Sequence, residues 1–297
     1  MPLTEEQIEL RKTGIGASEA AAAIGVCPHR SPMHVYAEKI GMGVPFEMND
    51  AIEWGNRLEP VIAQKYADDH GLVNVCPLAG DPSMSNPQQT FRHSEYPWML
   101  ATPDRLVLGD VGQTQYGVEI KSAGFRQYDR WGDTADKLPP EYYVQVSWCM
   151  AVLDVPRWDM AVLIGGQDYR EYVIERDPAF EMLLISKAKD LWENHILKRV
   201  PPTPDAMAAT RRALAAIYPS NGGEWKGSNR EIDVLATDYE KARAALREAE
   251  TRKAELENAL RNHIGDAEGI IGDWGKASWR ANKNGARCFR VKFAKEG

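Results

Sequence analysis

Cysteine is scarce and scattered in this chain. Four of the 297 residues are cysteine, at Cys27, Cys76, Cys149 and Cys288. No two of them form a C-x-x-C pair, so nothing points to a zinc knuckle or an iron–sulfur cluster. Separate reduced thiols are expected. The six histidines, at 29, 34, 70, 93, 195 and 263, show no metal-ligand spacing either. No stretch approaches the ~18 apolar residues of a membrane helix, so no membrane partner is expected. The opening MPLTEEQIELRKTG is acidic at its start and has no apolar core, so it does not read as a signal peptide. Repeats and low-complexity tracts are lacking. Excess positive charge is lacking too: the net charge is −7. That argues against nucleic acid wrapped over the whole surface but leaves a local basic channel open.

What is present is a chain able to build a core. Hydrophobic residues make up 43% and charged residues 27%, enough for one large domain or a domain with an appendage. Short helices are expected over 4–12 (N-cap Thr4), 19–24 (cap Ser18, stop Gly25) and 32–40 (cap Ser31, stop Gly41). A longer helix is expected from Asn49 to His70, with a kink or break near Glu59 because Pro60 lies inside it. Strand-like segments follow at 72–76, 90–94, 98–102, 104–108 and 116–122. PEYYVQVSWCMAVLD, 140–154, reads as a buried helix, and 157–164 and 168–175 as two strands around a Gly-Gly-Gln-Asp turn. A helix over 178–199 places Phe180, Leu183, Leu184, Ala188, Leu191 and Ile196 on one side. Trp148, Trp158 and Trp192 fall in buried-looking segments.

VPPTPDA, 200–206, is Pro-rich and marks a boundary, giving domains 1–205 and 206–297. In the second, positions 239, 242, 246, 249, 253, 256 and 260 read Tyr, Ala, Leu, Ala, Lys, Leu, Leu at 4-3-4-3 spacing. This is a heptad-like helix over about 231–264, its seam broken by Lys253. A β-hairpin follows over about 269–294 with an Asn-Gly turn at 284–285. The seam fits self-association or a partner contact, and a plain stabilising helical hairpin equally well.

The chemistry concentrates in TPDRLVLGDVGQTQYGVEIKSAG, 102–124. In an alternating strand Glu119 and Lys121 share one face, while Tyr116, Val118 and Ile120 share the other. Pro103-Asp104, then Glu119-x-Lys121, fits a metal-dependent phosphodiester-cleaving site. Asp104 and Glu119 supply converging carboxylates for a divalent ion, and the Ile120 carbonyl a further oxygen. Lys121 can hold or activate the attacking water, or offset charge in the transition state. The alternative is a cross-strand salt bridge of small energetic value. A second Pro-Asp…Glu-x-Lys set, Pro204-Asp205 with Glu224-Trp225-Lys226, has no hydrophobic strand to present it. In the connection FRQYDRWGDTADKLPP, Arg126, Tyr128, Arg130 and Trp131 interleave bases with aromatics, which suits contact with phosphates and unpaired bases; the alternative is a loop packed on the domain edge. Arg11 and Ser18 lie near a helix N-terminus, which is suited to phosphate.

The ordered segments R-x-x-x-I-G-A-S, G-N-x-x-E-P, T-P-D-R, E-I-K-S and P-x-x-Y-x-x-Q, spread over about residues 8–200, resemble the YqaJ-type phage recombinase nucleases. These are relatives of phage lambda exonuclease in the PD-(D/E)xK superfamily. The resemblance implies an α/β (α+β) restriction-endonuclease-like core, a central mixed sheet flanked by helices, with the C-terminal helix and hairpin as an appendage. It implies Mg²⁺-dependent 5′-to-3′ digestion of one strand of duplex DNA, with Mn²⁺ as a substitute ion, leaving 3′ tails for recombination by strand annealing. By position Asp104, Glu119 and Glu59 would hold the metal with the Ile120 carbonyl, Lys121 would be the catalytic lysine, and Gln145 would support the site. Arg11 and Ser18 would lie near the 5′-terminal phosphate. The partners implied are duplex DNA ends, a single-strand annealing protein and further copies of the chain, in some relatives a ring. The setting implied is the cytoplasm of a bacterial host, with a phage or prophage gene. Two rival readings stay open: an endonuclease of the same superfamily in repair or restriction, and a nuclease-like fold kept as a non-catalytic DNA-binding module.

Overall fold

The computed structural model describes residues 9–43, 48–72, 74–75, 84–85, 89–109 and 113–294. The start of the expected 4–12 helix, Cys76 and part of the 72–76 strand lie outside them. The chain divides into two units between Asn221 and Gly222.

In the first unit, β1 (Ile15–Gly16) leads into the seven-residue α1 (Ala17–Ala23). The helix α2 (Pro32–Lys39) starts at Ser31, whose Oγ accepts the His34 N–H at 3.2 Å. Asn49 caps α3 (Asp50–Asp69) through the Ile52 N–H. The expected break at Pro60 does not occur: α3 runs through it. The proline costs one helical N–H donor, and the apolar stripe Ile62, Ala63, Tyr66, Ala67 holds the helix against the sheet.

Strands β2 (Asn74–Val75), β3 (Met84–Ser85), β4 (Phe91–Arg92), β5 (Met99–Ala101), β6 (Arg105–Leu108) and β7 (Thr114–Ala123) follow. The 14-residue helix α4 (Pro140–Leu153) crosses from β7 to the parallel β8 (Arg157–Ile164), which turns back into β9 (Asp168–Glu175). The main sheet is mixed, ordered β2-β3-β6-β7-β8-β9, and β1, β5 and β4 form a smaller one. Helix α3 covers the sheet face carrying Val107, Val118, Ile120 and Ala161. Helices α1 and α4 bury the opposite side with Trp148, Trp158, Met160 and Val162. All three expected core tryptophans are buried, Trp148 and Trp158 completely. Gly117 lies beside Trp158 in register, and a Cβ there would collide with the indole. A buried network fastens α3 to β8: the Tyr66 hydroxyl donates to Asp159 Oδ2 at 2.6 Å, and Arg157 Nε donates to Asp159 Oδ1 at 2.6 Å.

Asp177 caps α5 (Pro178–Asp190), which continues as a π-helical turn over Leu191–Ile196. Leu183, expected on the buried side, is exposed. The buried stripe is Leu184, Ala188 and Leu191, spaced i, i+4, i+7, and Leu183 falls outside it. The Pro-rich stretch expected to end the domain at 205 is followed by one more helix of the same unit, α6 (Ala208–Ile217). Its buried Thr210 donates to Ser31 Oγ at 2.8 Å.

The second unit begins with α7 (Arg230–Ile264), 35 residues or about 52 Å of helix. Its seam is exposed: Tyr239 by 68%, Leu246 by 59%, Leu256 by 48%. The expected hairpin gains a strand. Antiparallel β10 (Gly269–Gly272), β11 (Gly275–Ala281) and β12 (Arg287–Phe293) form a meander, with the β11–β12 turn at Asn284-Gly285, where Gly285 has φ 78°. Arg287 ties it to the helix end, donating from Nη1 to the Gly265 carbonyl at 2.7 Å, and the Arg261 guanidinium lies 4.4 Å from the Phe289 ring centre.

Candidate active site at the splayed edge of β6 and β7

The site forms where two paired strands part. Strand β6 pairs with β7 up to Arg105 opposite Val118, while β7 runs on to Ala123 beside β8. Past Val118 one edge of β7 has lost its strand neighbour. Asp104 fills the gap: its Oδ2 accepts the Ile120 N–H at 2.9 Å. In a strand the N–H and C=O of one residue point to the same edge, so the Ile120 carbonyl faces the side where Asp104 lies.

Glu119 is 2% exposed and sits on the α4 side of β7. Its Oε1 accepts Lys121 Nζ at 2.5 Å and Gln145 Nε2 at 2.6 Å. Both donors use one oxygen, and among the described residues no hydrogen bond engages the other. Lys121 Nζ also lies 5.3 Å from the ring centre of Tyr142. Tyr142 and Gln145 are i, i+3 neighbours on α4, so one helix face presents both to the strand.

The electrostatics follow from crowding charges out of water. Burial and the neighbouring Glu119 carboxylate push Asp104 up to about 7, against Lys121 and the Ile120 N–H. Burial works against the Lys121 charge, but Glu119 and Asp104 outweigh it and hold the ammonium above its ordinary value. Two converging carboxylates that resist sharing negative charge, each with an oxygen outside these hydrogen bonds, form a hard-oxygen donor set. Joined by the Ile120 carbonyl, that set fits a small divalent cation, which keeps several waters of its own.

Glu59, expected among the metal ligands, lies close enough to help raise Asp104 and is also held by Arg105. It is on α3, and its Oε1 accepts Arg105 Nη1 at 2.9 Å. Burial pushes its pKa up, yet its charged neighbours, Arg105 among them, hold it below the usual carboxylate range. Arg105 is itself buried, and Nη1 also donates to the Asp104 carbonyl at 2.6 Å. Among the described residues no group of three or more His, Cys, Asp or Glu side chains is arranged to hold a metal ion. The donors therefore reduce to two carboxylates and a peptide oxygen.

Arg11 and Ser18 meet: Arg11 Nη2 donates to Ser18 Oγ, and the guanidinium lies over Gly16. Lys39 braces the pair, donating to the Arg11 carbonyl at 2.7 Å and to Glu19 Oε2 at 2.8 Å. Parallel β1 and β5 send Ser18 and Asp104 out of the small sheet at the same end.

The connection after β7 divides. Trp131 is not available for stacking on bases: it is 4% exposed, packed 5.2 Å centre to centre on Tyr142. An indole with this much apolar area is taken by the core, and here it backs the ring beside Lys121. Arg130 is engaged by Glu141 at 2.5 Å. Arg126 and Tyr128 are exposed or half-exposed beside Phe125, which is 76% exposed and was not singled out from sequence. Arg105 and Tyr142 were also missed. The signal for Tyr142 was its helical spacing to Gln145; Arg105 stands in the T-P-D-R segment, but its partner is 46 positions away. In the second Pro-Asp…Glu-x-Lys set, Asp205 Oδ1 accepts the Met207 N–H at 2.9 Å, and Trp225 between Glu224 and Lys226 is 98% exposed.

Residues 7–156 match the model of the YqaJ-like viral recombinase domain. The chain belongs to this family. It is 26% identical over 286 residues to the protein YqaJ of Bacillus subtilis (strain 168), covering 93% of this chain and 83% of that relative. The structure is similar to an alkaline exonuclease, LHK-Exo, solved in complex with dAMP: TM-score 0.50 at 19% identity, covering 66% of this chain and 94% of the other. Another structure of that enzyme, from Laribacter hongkongensis, gives 0.49 at 20% over the same shares of the two chains. The likeness to the dAMP complex shows that this YqaJ-family chain shares the fold of that alkaline exonuclease, a mixed sheet between helices.

Proposed function

We propose that the chain is a metal-dependent deoxyribonuclease that digests one strand of duplex DNA from the 5′ end and leaves 3′ single-stranded tails for recombination by annealing. The observation carrying this reading is the meeting of Asp104, Glu119 and Lys121 at the open edge of β7. The family is a viral recombinase family, and the similar alkaline exonuclease is solved with dAMP, a nucleoside monophosphate of the kind such digestion releases.

Asp104, Glu119 and the Ile120 carbonyl would hold Mg²⁺, or Mn²⁺ in its place. When bound, the ion neutralises phosphate charge and acidifies a water. Gln145 fixes the Glu119 carboxylate. Lys121, a cation aimed by Glu119 and Tyr142, offsets charge that builds on the scissile phosphate. Arg11 and Ser18 grip the 5′-terminal phosphate. Arg126 and Tyr128, with Phe125, meet the strands beyond it. The surroundings proposed are those of a phage or prophage protein in the cytoplasm, working with an annealing protein and with further copies of itself. No helix among the described residues is long and apolar enough to cross a membrane.

The test is digestion of linear and covalently closed duplex with Mg²⁺ and with chelator. Loss of the linear form alone, with 5′-mononucleotides released only when the ion is present, is expected. Equal attack on closed circles would replace the exonuclease with an endonuclease. No hydrolysis with either Mg²⁺ or Mn²⁺ would leave a DNA-binding module.

A further inference from the structure

The meander of the second unit has one strongly basic face in a chain whose net charge is −7. Residues 269–294 hold six cations, Lys276, Arg280, Lys283, Arg287, Arg290 and Lys292, against Asp273 alone. Register sorts them. Residues directly opposite in an antiparallel pair share a face. Lys276 is opposite Lys292, Ser278 opposite Arg290, and Arg280 opposite Cys288. The other face carries Ala277, Trp279, Phe289 and Val291, all at least half-buried. Lys276, Arg280, Arg290 and Lys292 thus stand together on the solvent side, and all four are exposed.

Three of these four cations have no acidic partner among the described residues. Along α7 several cations find acids one turn away: Lys241 with Asp238, Arg252 with Glu255, Lys253 with Glu257. On the sheet only Arg280 does so, reaching Glu268 at 3.1 Å. Among the described residues Lys276, Arg290 and Lys292 make no hydrogen bond or ion pair. Like charges directly opposite in a sheet repel, so the Lys276–Lys292 pair costs the unit stability. A polyanion laid on the face removes that cost and gains from release of its counterions.

We propose that this face of the meander binds the phosphate backbone of duplex DNA, as a contact separate from the catalytic site. The choice of DNA over another polyanion rests on the nuclease reading. The contact proposed is with phosphate, which carries no sequence information.

The test uses the full-length chain, fluorescence anisotropy, a labelled duplex and chelator, so that nothing is cut. The triple variant K276Q/R290Q/K292Q is expected to lose about tenfold or more in affinity near 0.1 M salt, and its salt slope to fall by about 2–3. S278E, a single change that sets an acid opposite Arg290, should weaken binding in the same direction and guards against misfolding of the triple. R247Q removes an exposed cation from α7 and should leave affinity and slope alone. Wild-type binding and slope in the triple and in S278E overturn the proposal. So does an equal loss in R247Q, which would make the effect one of net charge. Wild-type chain that binds phosphatidylserine-containing vesicles but not duplex assigns the face to a membrane and overturns it too. D104N, read in Mg²⁺, separates the two claims. If digestion is absent in wild type while the slope still responds to the triple, the nuclease reading fails and the DNA face stands. If D104N abolishes a real digestion while the triple binds normally, only the face fails.

Discussion

The two units of the chain use their sequences in opposite ways. The first buries two clusters on either face of a mixed sheet and also buries a few charges, among them Glu59, Arg105, Glu119 and Asp159. Among the described residues the second buries only Ile264 and Ala277 and keeps its charges, and much apolar surface, outside. The contrast teaches where each kind of chemistry can be built. A carboxylate raised to about 7 and a lysine held charged beside it need a low-dielectric, rigid surround. A surface that holds a polyanion needs the reverse, mobile cations in water.

The largest break in that contrast should come from the buried charges. Lys121→Ala and Asp104→Asn are expected to cut digestion by roughly 10²–10³-fold or more, while Lys121→Ala leaves duplex binding intact in chelator. A Lys121→Ala protein cutting at the wild-type rate would remove the catalytic assignment. Next, Arg105→Ala leaves Glu59 buried beside a vacated guanidinium and should cost about 3–5 kcal/mol in urea unfolding. An unchanged midpoint would mean that other partners suffice for Glu59.

Leucine gives a like-for-like comparison of the units. Leu184→Ala, at a buried position, should cost about 2–5 kcal/mol. Leu246→Ala, on the exposed seam of α7, should stay within about 0.5 kcal/mol. A large loss at Leu246, with a change in sedimentation, would show that the seam is covered by another copy of the chain.

Asp104 sharpens the point through pH. Its proton is held more tightly in the folded chain than in the unfolded one, so the native state binds more protons between about pH 4 and 7. Stability without metal therefore falls as pH rises through that window. Asp104→Asn should raise the melting temperature at pH 8 in chelator, by roughly 1–3 kcal/mol of stability, and change little at pH 4. An equal effect at both would mean the carboxylate is not strained by its surroundings.

Much of the first unit was legible along the chain. Glu119 and Lys121 share a face because strands alternate, and Gln145 falls on the helix that the sequence predicts over 140–154, the resemblance adding its role. Trp131 was misread because an aromatic next to arginines looks the same in sequence whether it meets DNA or Tyr142. The ion pair of Glu59 was hidden for a related reason: its helix was legible, but its partner Arg105 lies on another element. The end of the unit was set at a run of prolines, which records where a helix cannot form and not where contacts cease; Thr210 reaches back to Ser31 beyond it.

The sequence by itself determined which residues alternate, which helices start and stop, and that one strand carries an acid and a base side by side. These are local matters, fixed by backbone geometry within a few residues. Only the tertiary structure decided that β6 ends where β7 continues, that Asp104 fills the opening, that Arg105 takes Glu59, and that four cations of the meander share a face. Each depends on register or on contacts between segments far apart in the chain, and a one-residue slip in register would turn every such side chain to the other side.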